Sequence, residues 1–260
     1  MPTDARGGLR QVPSADTRSD RQVLFEVQGI SKHFGGIVAL RDVSFAVRAG
    51  EVLGLIGPNG AGKTTLFECL AGVLPVDSGV LSVDGHVVGT EARKSVLLYM
   101  PDAIAPWPSQ SVRWALEYVT GFFGGPAEGR ATVIGQLGLT PLLGQSIGTL
   151  SKGQRKRVLL AVALLTPAPV LLIDEPFDGL DLRQARDVAA ALRTHAYQGR
   201  TLFLSIHQII DAARFCDRFV LLSAGRVCGE GTVEELSALA ASRHGSASYH
   251  DLEEVFLALT

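Results

Sequence analysis

Residues 57–64 read Gly57-Pro58-Asn59-Gly60-Ala61-Gly62-Lys63-Thr64, and this run decides the fold. It matches G-x-x-x-x-G-K-[ST], the pattern of a loop that cradles phosphate groups. Glycines let successive backbone N–H groups turn inward toward phosphate oxygens. The start of a helix adds unpaired donors and partial positive charge. Lys63 is expected to reach the terminal phosphates, and the Thr64 hydroxyl to hold Mg2+. The flanks supply the setting the motif requires. Glu51–Ile56 is a short apolar run with strand character, and Thr65–Ala71 continues as a helix.

Downstream, Val170-Leu171-Leu172-Ile173-Asp174-Glu175 is an apolar strand ending in two carboxylates. Open α/β sheets bind their ligands at the carboxyl ends of the strands. Asp174 is therefore placed to hold Mg2+, and Glu175 to orient and polarise an attacking water. Leu150-Ser151-Lys152-Gly153-Gln154 precedes a helix. Ser151 can cap that helix. Alternatively, the helix start with Ser151 and Gly153 can bind the γ-phosphate of a second nucleotide.

Around these motifs the chain alternates strands and helices. Strands are expected at Leu24–Val27, Val43–Val47, Gly79–Gly85, Val96–Met100, Val170–Ile173, Thr201–Ser205 and Phe219–Leu222. Helices are expected at Leu182–Ala196, Gln208–Phe215 and Thr232–Ala241. This order implies a mostly parallel sheet covered on both faces, with antiparallel strands at its N-terminal end. Ser109–Leu150 has helical apolar spacing, with glycine breaks expected at Gly121, Gly124-Gly125 and Gly144. It reads as an inserted helical subdomain of approximately residues 103–165.

Composition narrows the classes. The chain has 260 residues and a net charge of −2, so neither a nucleic-acid surface nor a polybasic membrane anchor is indicated. Cys69, Cys216 and Cys228 are scattered without metal-ligand spacing, which suits a reducing compartment. Residues 1–22 are polar, lack the apolar core of a signal peptide, and read as a flexible tail before a single domain at 23–260. Val158–Ile173 is the most apolar stretch, but Thr166-Pro167-Ala168-Pro169 divides it. A membrane span needs about 20 continuous apolar residues. A buried helix, a proline turn and a buried strand fit better.

Taken together, the motifs resemble those of an ATP-binding-cassette (ABC) ATPase subunit, over nearly the whole of Leu24–Thr260. GPNGAGKT resembles that family's Walker A loop, LSKGQ its signature motif, and LLIDEP at 171–176 its Walker B strand. Gly179-Leu180-Asp181 resembles the D-loop, and His207 after Ser205-Ile206 the switch histidine. Ser31-Lys32-His33-Phe34-Gly35-Gly36 resembles the segment whose aromatic residue stacks on adenine.

The resemblance implies a fold: a P-loop NTPase of ABC type with a mostly parallel central sheet, an antiparallel N-terminal β part and an inserted helical subdomain. It also implies an ATPase that works as a head-to-tail pair. Phe34 and residues Gly57, Pro58, Asn59, Gly60, Ala61, Gly62, Lys63, Thr64 and Thr65 would bind ATP. Thr64 and Asp174 would attend to Mg2+, Glu175 would activate water, and His207 would contact the γ-phosphate. Leu150, Ser151, Lys152, Gly153 and Gln154 would act on the partner subunit's ATP, with Asp181 coupling the two sites. The sequence departs from the family pattern at two positions. Lys152 stands where glycine is commonest, and Asp102, after Tyr99-Met100-Pro101, stands where a glutamine is expected. Asp102 is expected as an oxygen ligand of Mg2+ that brings negative charge beside the phosphates, and Asp102→Gln is expected to retain hydrolysis.

A separate transmembrane permease is implied, placing the chain at the cytoplasmic face of the membrane. Trp107, Trp114, Phe122 and Phe123 lie where family members receive a short helix from that partner. The front of the chain resembles ATPases of branched-chain amino-acid importers. The back, with YMPDA, SKGQRKR and the terminal helical extension at approximately 247–260, resembles those of exporters, and export is the favoured direction. A soluble cassette acting on ribosomes or DNA would need a second cassette or long heptads, and neither occurs. A cassette that binds ATP without turnover is opposed by Glu175 and His207 and kept open by Asp102.

Overall fold

The computed structural model describes residues 22–260 apart from 103, 208, 245–248 and 250. Apart from Gln22, the expected N-terminal tail lies outside the described residues.

The chain opens with a long hairpin, β1 (Val23–Phe34) and β2 (Ile37–Arg48), closed at Phe34 opposite Ile37. β4 (Ser78–Val83) pairs with the other edge of β1, and the two-residue β5 (His86–Val87) pairs with β4. These strands form an antiparallel sheet in the order β2-β1-β4-β5. This is the side sheet anticipated at the N-terminal end.

The second sheet runs β10-β9-β3-β8-β7-β6. Its members are β3 (Val52–Ile56), β6 (Leu97–Met100), β7 (Val170–Asp174), β8 (Thr201–Ile206), β9 (Arg218–Ser223) and β10 (Arg226–Gly231). All neighbours are parallel except β9 and β10, which form an antiparallel hairpin. Every residue of β3, β7 and β8 is buried, as expected of parallel strands covered on both faces.

Alternation along these strands divides the core into two layers. Leu53, Leu55, Val170, Leu172, Phe203, Val220 and Leu222 face the antiparallel sheet and α1 (Lys63–Leu70). There Phe67 of α1 meets Phe203 edge-on, with ring centroids 4.9 Å apart. Val52, Ile56, Leu171, Ile173, Leu202, Leu204 and Leu221 face the opposite, helical layer. The sheet is thereby packed on both faces.

After β5 comes a single turn, α2 (Thr90–Arg93). Between β6 and β7 lie α3 (Val112–Phe123), α4 (Ala127–Gln136) and α5 (Lys152–Leu165), with short 3-10 turns at Thr140–Leu142 and Ile147–Thr149. Gly121 lies inside α3 and does not break it. The helix ends at Gly124 (φ +69°), whose left-handed backbone closes the last turn. The apolar stretch divides as anticipated: α5 ends at Leu165 and β7 starts at Val170. The remaining helices are α6 (Leu182–Tyr197), α7 (Ile209–Phe215), α8 (Val233–His244) and α9 (Leu252–Leu259). α9 packs on α7 and α8, with Leu252, Val255 and Leu259 buried.

Candidate nucleotide site

β3 delivers the glycine loop to the carboxyl edge of the sheet, and α1 carries the chain away. Gly62 sits at the N-cap of α1 with φ +104°, a backbone only glycine adopts readily. A Cβ there would also stand 2.7 Å from the carbonyl oxygen of Ala39 on β2. The hairpin that ends in Phe34 therefore borders the phosphate loop. Phe34 is 46% exposed, and Lys32 Nζ lies 5.5 Å from its ring centroid.

Lys63 is buried and folds back over the loop, donating to the carbonyls of Gly57 at 2.8 Å and Pro58 at 3.3 Å. Beside it, Thr64 Oγ1 donates to Asp174 Oδ2 at 3.0 Å, although the two residues are 110 positions apart. The other Asp174 oxygen accepts a hydrogen bond from Ser205 Oγ on β8. Ser205 in turn accepts the backbone N–H of Glu175 at 3.0 Å. One fully buried hydroxyl thus clamps both acidic residues. Sequence reading assigned Ser205 no role. A lone hydroxyl near the end of the apolar run TLFLSI was the available signal.

Glu175 has φ +50°, an uncommon left-handed backbone for a side-chain-bearing residue, and it sets the direction of the carboxylate. Burial raises its pKa above the ordinary carboxylate value, opposed by the charges of Lys63 and His207 and reinforced by Asp174. A carboxylate with raised pKa accepts a proton more readily. His207 follows β8 directly and is exposed.

Asp174 and Thr64 are hard oxygen donors sharing one hydrogen bond, a pair that a small divalent cation can bridge. Among the described residues no three His, Cys, Asp or Glu side chains form a metal cluster. A cation here would complete its shell with phosphate oxygens and water, as Mg2+ commonly does.

Asp102, the expected oxygen ligand of Mg2+, lies just after β6. Its carboxylate is ion-paired with Lys156, whose side chain is 1% exposed on α5. The ion pair compensates its negative charge. Sequence reading missed Lys156 because it lies 54 positions from Asp102.

At the start of α5, Ser151 Oγ accepts the N–H of Gln154 at 3.3 Å, and Gln154 Oε1 accepts the N–H of Ser151 at 2.9 Å. This reciprocal capping box realises the cap reading of Ser151. Leu150 is buried, whereas Ser151 and Lys152 are exposed. Lys152, the residue in the glycine position, is ion-paired with Asp178 in the loop after β7. Asp181 caps α6 by accepting the N–H of Gln184 at 2.8 Å. The start of α5 and the loop before α6 are thus joined through Lys152 and Asp178, while Lys63, Thr64, Asp174 and Glu175 meet in another cluster.

Comparisons with known proteins agree with this geometry. The ABC transporter family profile matches residues 40–178. The linearmycin resistance ATP-binding protein LnrL of Bacillus subtilis is 30% identical over 219 residues, covering 82% of this chain and 70% of the relative. The hemin import ATP-binding protein HmuV of Streptomyces coelicolor is 36% identical over 228 residues, covering 84% and 81%. The Nod factor export ATP-binding protein I of Burkholderia orbicola is 33% identical over 217 residues, covering 81% and 71%. A solved structure of an ATP-binding subunit of an ABC transporter superposes with a TM-score of 0.80 at 28% identity, covering 91% of this chain and 99% of that one. The chain belongs to the ABC transporter family, as an ATP-binding subunit with the ABC ATPase fold. It is an ATPase.

Proposed function

We propose that the chain powers export through a separate transmembrane permease, working as a head-to-tail pair at the cytoplasmic face of the membrane. The observation that carries this is a row of exposed aromatic rings on α3. Trp114 and Tyr118 stack 5.0 Å apart and nearly parallel, Trp107 abuts both, and Phe122 continues the row at 6.2 Å from Tyr118. Trp114 is 38%, Tyr118 47% and Phe122 70% exposed. Rings at this spacing form one apolar face, the kind of surface that marks a protein contact. Among the described residues no helix is long and apolar enough to cross a membrane; in this reading the partner supplies the pathway. Export is supported by the terminal helix α9, the element the exporter-like sequence resemblance picked out, and by relatives named for resistance and export.

In this reading, ATP draws Lys63 from the Gly57 and Pro58 carbonyls to its terminal phosphates, while Phe34 stacks on adenine. Thr64 and Asp174 would hold Mg2+, which when bound would supply neutralisation of the negative charge that develops in phosphoryl transfer. Glu175 takes a proton from the attacking water. The water oxygen bonds to the γ-phosphorus as the bond to the β-phosphate oxygen breaks, leaving ADP and phosphate. His207 contacts the γ-phosphate. Ser151 and Gly153 of a second subunit close over the same phosphate through the start of α5.

Affinity purification from native membranes tests the partner: a multi-span protein should co-purify, and its absence would overturn this part. Sizing of Glu175→Gln in MgATP tests the pair: a dimer is expected, and a monomer at high concentration counts against it. Metabolite profiling of cells carrying Glu175→Gln tests direction, because an exported compound builds up inside whereas an imported one is depleted.

A further inference from the structure

We propose that Lys156 and Asp102 form a positioning ion pair that sets the backbone of the catalytic turn, a role assigned to neither residue by the ATPase motifs. The Lys156 ammonium has three donors, and three acceptors receive them. They are a carboxylate oxygen of Asp102, the carbonyl of Asp174 at 3.4 Å and the carbonyl of Glu175 at 2.9 Å. The last two are the carbonyls of the acidic residues themselves. Lys156 therefore holds the peptide units on which both carboxylates are mounted, at the point where Glu175 takes its left-handed turn.

The charge explains why Asp102 is needed. The Lys156 side chain is 1% exposed, and a buried cation without a counter-charge is strongly destabilising. Among the described residues, Asp102 is the carboxylate in ion-pair contact with it. A neutral glutamine at 102 would leave the ammonium beside two carbonyl dipoles with no anion in ion-pair contact. The pair also spans two pieces of the chain: Asp102 follows β6 on the way to α3, whereas Lys156 sits on α5. The part-buried contact therefore ties the loop after β6 to α5 and to the Glu175 turn. Asp102 and Lys156 thus act as one unit, and on this proposal Asp102→Gln alone lowers hydrolysis, contrary to the expectation from sequence.

The inference rests on the catalytic roles proposed for Asp174 and Glu175. Steady-state MgATP hydrolysis is measured well below each melting temperature for wild type, Glu175→Gln, Asp102→Gln, Lys156→Gln and the double Asp102→Gln/Lys156→Gln. Asp102→Gln should lower kcat about 10- to 100-fold, as expected for a small misplacement of catalytic groups, with KM within about threefold. The double variant removes both charges, and a glutamine amide at 156 still donates to the carbonyls. It should recover kcat at least about tenfold over Asp102→Gln, a rescue that independent defects would not show. Wild-type kcat in Asp102→Gln, or a double variant no faster than its slower parent, overturns the pair while leaving the ATPase reading intact. A wild-type rate no higher than that of Glu175→Gln would instead overturn the catalytic reading and the pair with it. Where Asp102→Gln fails to fold, Lys156→Gln decides: lowered kcat at unchanged KM supports the pair, and wild-type kcat overturns it.

Discussion

Gly153, in the first turn of α5, lies backbone to backbone against Gly179 in the loop after β7. A Cβ on Gly153 would stand 2.4 Å from the Gly179 carbonyl oxygen, closer than real Cβ contacts allow. The Lys152 side chain packs over Gly179 from the other side, where a Cβ would meet it at 3.0 Å. The start of α5 and the loop before α6 are therefore in direct backbone contact within a subunit. Gly153→Ala should push the two apart and lower kcat about tenfold or more, with MgATP affinity within about threefold of wild type. Gly135→Ala, with open space around its Cβ, serves as the control for helix propensity. Equal turnover in Gly153→Ala and wild type would show that the contact has no part in hydrolysis.

Ser205→Ala removes a hydrogen bond from Asp174 and the acceptor of the Glu175 N–H. Hydrogen bonds to charged groups contribute about 1.5–3 kcal/mol. Loss of this clamp should lower kcat by about tenfold or more, with a smaller change in nucleotide affinity. Equilibrium binding of MgATP alongside steady-state turnover separates the two effects. A drop confined to binding would assign Ser205 to the nucleotide and not to the carboxylates.

Ser151→Arg places bulk at the exposed start of α5 but leaves the phosphate loop of its own subunit untouched. It should bind a first nucleotide like wild type and fail to turn over. Lys63→Ala should lose the phosphate contact instead. Mixing the two inactive variants would assemble one intact composite site per pair and restore part of the rate. A mixture as inactive as its components would remove the head-to-tail arrangement, and full activity of Ser151→Arg alone would leave Ser151 as a helix cap only.

Acid sensitivity has a local source in His195, in the last turn of α6. Burial, with a smaller push from Arg200, lowers its pKa from 6.5 to about 4. The folded chain keeps this imidazole neutral, whereas the unfolded chain takes up a proton below about 6.5. The unfolded state therefore binds more protons across this window, and stability falls as pH drops from about 6.5 toward 4. The melting temperature should be lower at pH 5 than at pH 7, and His195→Gln should shrink that difference. An identical difference in both proteins would place the acid sensitivity elsewhere.

The phosphate loop, the fully buried strands β3, β7 and β8, and the carboxylates at the end of β7 were legible in the sequence because their causes are local. A glycine loop between strand and helix, and continuous apolar runs, carry their meaning within a few neighbours. β5 and β10 were not read. β5 has two residues, and β10 contains Gly229 and Gly231, so both exist only through pairing with β4 and β9. The contacts that tune the site are longer still. Ser205 reaches Asp174 across 31 positions, and Lys156 reaches Asp102 across 54. Nothing in the neighbourhood of Lys156 along the chain distinguishes it from Arg155 and Arg157 on either side. Burial of α5 against the sheet turns that one lysine inward, and only then does a buried cation require Asp102 as its anion.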